Sequence, residues 1–272
     1  MKIEVIDLKK RFQEEKNELM KSIKRVLVKG NLVLTKEVES FEKKICKYVG
    51  AKYCLGLNSG TDALMMSLWA TGISKGDEVI TSPISFIASA SSIIHLGAKP
   101  VFVDVKEDLN IDPDLIEKAI TKKTKAIMLP NLLGNVPDWK TISKIAKRYN
   151  LKVIEDSADT IGYKVHGKNL GKFSDITTNS MYASHIITGA GFGGMVCFND
   201  RKLYDKAKLL RGWGRSSAVF DESEGIKKRF NTKVDGIPYD GKYIFSEMGY
   251  NFLPSEISAA FALEQLKKLK KN

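Results

Sequence analysis

The sequence has 272 residues, 43% of them hydrophobic and 28% charged, with a formal net charge of +12 from 44 Lys+Arg against 32 Asp+Glu. That is enough chain for one large domain or two small ones with a sizeable core, and the balance excludes disordered and low-complexity classes. The longest apolar stretch, Ile84 to Ala98, is broken by serines and His95, and Met1 to Lys10 lacks the apolar core of a secretory leader. No membrane span or membrane partner is therefore expected, and the cytoplasm is the default location.

Taken in chain order, Lys9 to Lys29 predicts a basic amphipathic helix, with Phe12, Leu19, Met20, Ile23, Val26 and Leu27 as its apolar positions. A second helix is expected over Thr35 to Val49, closed by Gly50. Short apolar runs then alternate with helix-length segments. The runs are Tyr53–Leu57, Glu78–Thr81, Val101–Val105, Ala126–Pro130, Val153–Glu155, Thr177–Tyr182 and Met195–Phe198. Between them, helices are expected over Thr61–Thr71, Phe86–Leu96, Asp112–Thr121 and Asp138–Tyr149. So regular an alternation predicts an α/β fold with a mostly parallel sheet covered on both faces. After a basic helix, Arg201–Arg211, periodicity fades from Gly212 to Gly249, and a last helix begins near Ser255 and continues to Asn272. An aperiodic insert of that length points to a functional loop. The +12 charge admits nucleic acid, anionic lipid or a phosphorylated small molecule. The lysines are spread over helices without interleaved aromatics, which argues against nucleic acid.

Several short motifs carry chemistry. Asn58-Ser-Gly-Thr-Asp62 lies where a strand passes into a helix, and reads either as a phosphate cradle or as an ordinary helix cap. Glu155-Asp156 ends a buried run, which puts a carboxylate at the strand edge where α/β proteins bind ligands, or leaves it as a cap or ion-pair partner. Gly189-Ala-Gly-Phe-Gly-Gly194 satisfies a dinucleotide expression, but a strand follows it rather than a helix, so it reads as a tight glycine loop. Of the three histidines, His95 is expected in the core, His166 in a turn, and His185 at the ligand edge, placed like an acid–base group. Cys46, Cys54 and Cys197 are scattered, with neither metal-ligand nor disulfide spacing.

Together these segments resemble the sugar aminotransferases of the DegT/DnrJ/StrS family, fold-type I proteins dependent on pyridoxal phosphate. The phosphate turn is matched by Asn58-Ser-Gly-Thr-Asp-Ala-Leu64, and the cofactor carboxylate segment by Glu155-Asp156-Ser-Ala-Asp159 with Ile161-Gly162. Ser180-Met-Tyr-Ala-Ser-His185 stands where the family places its Schiff-base lysine, and Gly249-Tyr-Asn251 with Ser255-Glu-Ile-Ser-Ala-Ala260 resembles a later signature. The resemblance implies a fold-type I large domain with a seven-stranded sheet between helices and without the small C-terminal domain. It divides the chain into a helical segment (1–50), a cofactor-binding domain (51–211), an active-site insertion loop (212–250) and the start of a linker helix (251–272).

The departure at position 185 is informative. Imidazole cannot condense with the cofactor aldehyde, and lysine-to-histidine replacement resembles the 4-keto-6-deoxy sugar 3-dehydratases. Asn131-Leu-Leu-Gly-Asn135, Leu210-Arg-Gly-Trp-Gly-Arg215 and Tyr239-Asp-Gly-Lys-Tyr243 resemble the same branch. The resemblance implies non-covalent pyridoxamine or pyridoxal phosphate, with His185 moving the proton; free imidazole titrates near roughly pH 6.5, suited to that task. It further implies Asp156 at the pyridine nitrogen, Asp159 near the ring hydroxyl and Phe86 over the ring, with core packing as the plain alternative for Phe86. Gly60, Thr61 and Ser180 would take the phosphate, and Asn251 the phosphate of a neighbouring subunit, in a homodimer with shared sites. Dehydratases with an iron–sulfur cluster would carry cysteines near Ser157, Ser217, Val219 and Ile226; none is cysteine, so a cluster-free enzyme is expected. Such an enzyme takes a nucleotide-diphosphate sugar and recovers its cofactor from an amino donor such as glutamate. A protein that binds cofactor or partner without turnover is the alternative.

Overall fold

The chain is described by a computed structural model over residues 7–165, 167–219 and 229–269, so His166 and Ile226 lie outside the described residues. Helix α1 (Leu8–Lys29) starts at Asp7, whose carboxylate accepts the Lys10 amide at 2.8 Å, and stops at Gly30 in the left-handed conformation. Helix α2 (Lys36–Val49) ends at Gly50 in the same way. Strand β1 (Tyr53–Leu57) and helix α3 (Gly60–Ala70) follow. Next come β2 (Glu78–Thr81), α4 (Ala88–His95), β3 (Lys99–Phe102), α5 (Pro113–Ala119) and β4 (Thr124–Pro130). The chain continues through α6 (Trp139–Arg148), β5 (Lys152–Asp156), a small hairpin of β6 (Lys164–Val165) and β7 (Lys168–Asn169), then β8 (Ile176–Ser180) and β9 (Gly194–Phe198). Helix α7 (Arg201–Arg211), the hairpin β10 (Thr232–Val234) and β11 (Ile237–Tyr239), and α8 (Glu256–Leu269) complete the described chain.

Seven strands form one sheet in the order β1-β9-β8-β5-β4-β2-β3. Only β9 runs against its neighbours, β1 and β8; the other pairings are parallel. The strand ends of β4, β5 and β8 therefore share one edge, next to the start of α3. Side chains alternate across the sheet as the pleat requires. Val79, Met128, Ile154 and Val196 pack with α3 and α7, whereas Ile80, Ile127, Leu129 and Val153 meet Trp139 and Ile142 of α6. Near β1 and β9 the second face is covered by α2 and α8. The sheet is thus covered on both faces, as its alternating pattern predicts.

The expectations for the third strand, the start of α4, His95 and the segment 212–250 need correction. The third strand spans Lys99–Phe102, not Val101–Val105, because its only partner, β2, is four residues long and its register starts at Glu78↔Lys99. Helix α4 starts at Ala88, leaving Phe86 and Ile87 outside it and exposed. His95 is exposed rather than in the core: it lies two residues past buried Ile93, about 200° further round the helix. The three cysteines, distant in sequence, are brought together, since Cys54 and Cys197 are cross-strand partners and Cys46 hydrogen-bonds Cys54. All three are free. The segment 212–250 is not featureless. It holds the β10–β11 hairpin, and its two ends are tied by the Trp213 amide donating to the Tyr250 carbonyl at 3.0 Å.

Candidate active site

At the shared edge lies a cleft of about 630 Å³. Its walls come from the start of α3 (Ser59, Gly60, Thr61), the β2–α4 connection (Ser85, Phe86), and the ends of β4, β5 and β8 (Asn131, Asp156, Ser180). The loop that follows β8 adds Tyr182, His185 and Phe192. Gly60, Thr61, Phe86, Asp156, Asp159, Ser180 and His185 are therefore brought together. Asn251 is not: it is exposed, bridged to Gly212, and does not line this cleft.

The start of α3 is built for close approach. Ser59 Oγ accepts the Asp62 amide at 3.0 Å and donates to Asp62 Oδ2 at 2.7 Å, fixing the first turn. A Cβ on Gly60 would sit 2.5 Å from that of Ser180, and one on Gly194 would sit 2.0 Å from the Ser59 carbonyl oxygen. Only glycine lets β8, β9 and the helix start meet this closely. The result is a concave cradle of hydroxyls and first-turn amides, with the positive end of the helix dipole behind it.

Asp156 closes the floor. Its Oδ1 accepts the Ala158 amide at 3.1 Å, yet burial pushes its pKa up to about 6. Its neighbour Glu155 points to the other side of β5, almost wholly buried. There it accepts hydrogen bonds from Asn131 Nδ2 (3.0 Å), Thr177 Oγ1 (3.2 Å), Ser174 Oγ (3.3 Å) and Ser157 Oγ. Burial raises the Glu155 pKa against those bonds. Asn131 also accepts the Trp139 indole N–H at 2.8 Å, so this buried network stiffens the strand ends beneath the cleft. On the wall, His185 Nδ1 stands 3.4 Å from Asp159 Oδ1, and the hydrogen bond to His185 holds the Asp159 carboxyl below its ordinary range. Phe86 is 77% exposed at the rim, which removes core packing as its role. Ser85 is a cleft residue outside every quoted motif, while Asn131, Tyr182 and Phe192 lie inside motifs that assign them no place in the cleft. Among the described residues lining the cleft, none is a lysine.

The donor set fits a phosphorylated pyridine cofactor: a helix-start cradle for the phosphate, an acid at the floor for a ring nitrogen, and an exposed aromatic for the ring face. The DegT/DnrJ/EryC1/StrS aminotransferase family matches residues 13–272. The chain belongs to this family. It is 36% identical over 246 residues to the UDP-2-acetamido-2-deoxy-3-oxo-D-glucuronate aminotransferase of Pseudomonas aeruginosa, covering 90% of this chain and 68% of that protein. It is also 36% identical over 241 residues to the dTDP-4-dehydro-2,6-dideoxy-D-glucose 3-dehydratase of Saccharopolyspora spinosa, covering 84% of this chain and 52% of that protein. The crystal structure of NtdA from Bacillus subtilis with bound cofactor PMP superimposes with a TM-score of 0.83 at 32% identity, covering all of this chain and 57% of that one. This family member therefore spans between about half and two thirds of the length of these relatives. Both aminotransferases and a 3-dehydratase stand among its relatives. The sheet order and the family's solved structures agree on the aminotransferase fold. No helix among the described residues is long and apolar enough to cross a membrane, and no group of three or more His, Cys, Asp or Glu among them could hold a metal ion.

Proposed function

We propose that this chain is the cofactor domain of a cluster-free 3-dehydratase acting on a nucleotide-linked 4-keto-6-deoxyhexose, with pyridoxamine or pyridoxal phosphate held non-covalently. The observation that carries the reading is His185 on a cleft wall whose described residues include no lysine. Bound pyridoxamine phosphate supplies an amine for the sugar ketone and a ring that accepts electrons as the C3 hydroxyl leaves.

The protein's part is to bind, orient and move protons. Ser59, Gly60, Thr61 and Ser180 hold the phosphate at the start of α3. Asp156 gains a partner for its charge in a protonated ring nitrogen, which keeps the ring electron-poor. Phe86 covers the ring from the rim. Asp159 faces His185 Nδ1, so Nε2 is the nitrogen left to take a proton from the carbon bearing the cofactor amine and to pass it on. A lysine there would capture the cofactor and favour amino transfer instead. A second copy of this chain supplies Asn251 to the phosphate, a reading supported by the exposed apolar rim of Phe86, Tyr182 and Phe192. Glutamate or a similar amino acid restores the amine.

The test combines fixation with isotope exchange. Borohydride treatment with pyridoxal phosphate should leave no adduct in the cleft of the wild type and create one at position 185 in His185→Lys. Bound pyridoxamine phosphate in D2O should exchange its methylene hydrogens, and His185→Gln should slow that exchange by about 100-fold or more. Fixation on a wild-type cleft lysine, or undiminished exchange in His185→Gln, overturns the proposal. Tight binding with no exchange in the wild type would leave a cofactor-binding protein without turnover.

A further inference from the structure

His185 sits in a stretch with no helix or strand, between the end of β8 and the glycine loop before β9. What fixes that stretch comes from the two ends of the described chain. Arg11 of α1 donates from Nη1 to the His185 carbonyl at 3.2 Å and from Nη2 to the Ile186 carbonyl at 2.7 Å. The same Nη2 donates to Gln265 Oε1 of α8 at 3.1 Å, and that oxygen also accepts the Thr188 amide at 2.7 Å. Gln265 Nε2 donates to Glu15 Oε2 at 3.1 Å, and Lys268 pairs with Glu15 Oε1 at 3.0 Å. Gln265 is 2% exposed and Glu15 is 7% exposed, so these bonds form with little competing water. The orientation of the Gln265 amide is settled by its partners, two donors at its oxygen and a carboxylate at its nitrogen.

We infer that Arg11 and Gln265 are positioning residues for His185, holding the backbone of residues 185–188 so that the imidazole faces the cleft beside Asp159. This rests on His185 as the proton-transfer group. The brace extends along the loop as well, because Thr188 Oγ1 accepts the Gly191 amide at 3.2 Å and so ties the glycine turn to the same support. Neither Arg11 nor Gln265 lines the cleft, so both act through the chain rather than on a ligand.

Carbethoxylation by diethyl pyrocarbonate, read by mass spectrometry, tests the brace on the protein without cofactor. His95, exposed on α4, serves as the internal standard. Arg11→Met should raise the His185-to-His95 rate ratio by about 5-fold as the loop loosens, and Arg11→Lys, which keeps a single donor nitrogen, should raise it by less than half as much. Arg11→Met should also slow exchange of bound pyridoxamine phosphate by about 10-fold while leaving its dissociation constant within about 2-fold. In a His185→Gln background the Arg11 change should slow exchange no further. A ratio unchanged in both Arg11 variants overturns the inference, as does an equal slowing with and without His185. Should His185→Gln exchange as fast as wild type, the proton-transfer role falls while the modification ratio still decides the brace.

Discussion

Asp156 shows how one side chain serves two opposed demands. Burial lifts its pKa from 3.8 to about 6, so the folded protein without cofactor opposes the ionised form that a ring nitrogen requires. A raised carboxyl pKa contributes stability that is present at low pH and lost as pH rises through about 6. Asp156→Asn should therefore melt higher than the wild type at pH 7, by on the order of 2 kcal/mol, with the difference vanishing below about pH 4. Its affinity for pyridoxamine phosphate should fall. A mutant no more stable at pH 7 than at pH 4, relative to wild type, would contradict the desolvation account. Asp156, Ser180 and His185 are legible in the sequence because each follows a recognisable strand or motif. Asn131, Tyr182 and Phe192 lie inside quoted motifs, but their place at the cleft is not legible, since only the convergence of strand ends and the loop after β8 brings them together.

Among the elements, α2 depends on a residue more than 200 positions away. Thr35 precedes the helix without a side-chain cap bond. Instead Glu256, at the start of α8 and 1% exposed, accepts the amides of Thr35 (2.6 Å), Glu37 (2.8 Å) and Val38 (3.1 Å). Glu256→Ala leaves those donors without a carboxylate and should destabilise the fold by about 2–4 kcal/mol in urea denaturation, with Glu256→Gln between the two. A loss under about 1 kcal/mol would mean that water replaces the carboxylate. Strand positions were readable because buried apolar runs of four or five residues leave little freedom. The errors at β3 and α4 arose where a partner's length, or a neighbour's packing, set the boundary instead of local composition. The third strand stops because β2 does, and α4 starts late because Phe86 and Ile87 are given to the surface.

At the scale of the molecule, the rim of the cleft carries large apolar side chains that a lone copy leaves in water. Phe192 is 72% exposed and Tyr182 59% exposed, alongside Phe86. If a second copy covers them and brings Asn251 to the phosphate, sedimentation equilibrium should return twice the monomer mass. Phe86→Asp should shift the species toward monomer. A wild type that stays monomeric at tens of micromolar would remove the shared-site part of the proposal. The +12 charge, by contrast, says little in advance: opposite charges are paired locally on α2 and α7, and the cleft floor is acidic.

The bond between Arg11 and Gln265 spans 254 positions of sequence. During synthesis at about 5–20 residues per second, α1 emerges roughly 10–50 s before its partner exists. His185 itself emerges about 80 positions before Gln265, roughly 4–16 s at the same rate, and over that shorter interval Arg11 holds the stretch without the Gln265 contact. The Gln265 half of the brace is thus added late, by a contact between the first and last helices described. A nascent chain stalled before residue 265 would carry its His185 stretch held by Arg11 alone.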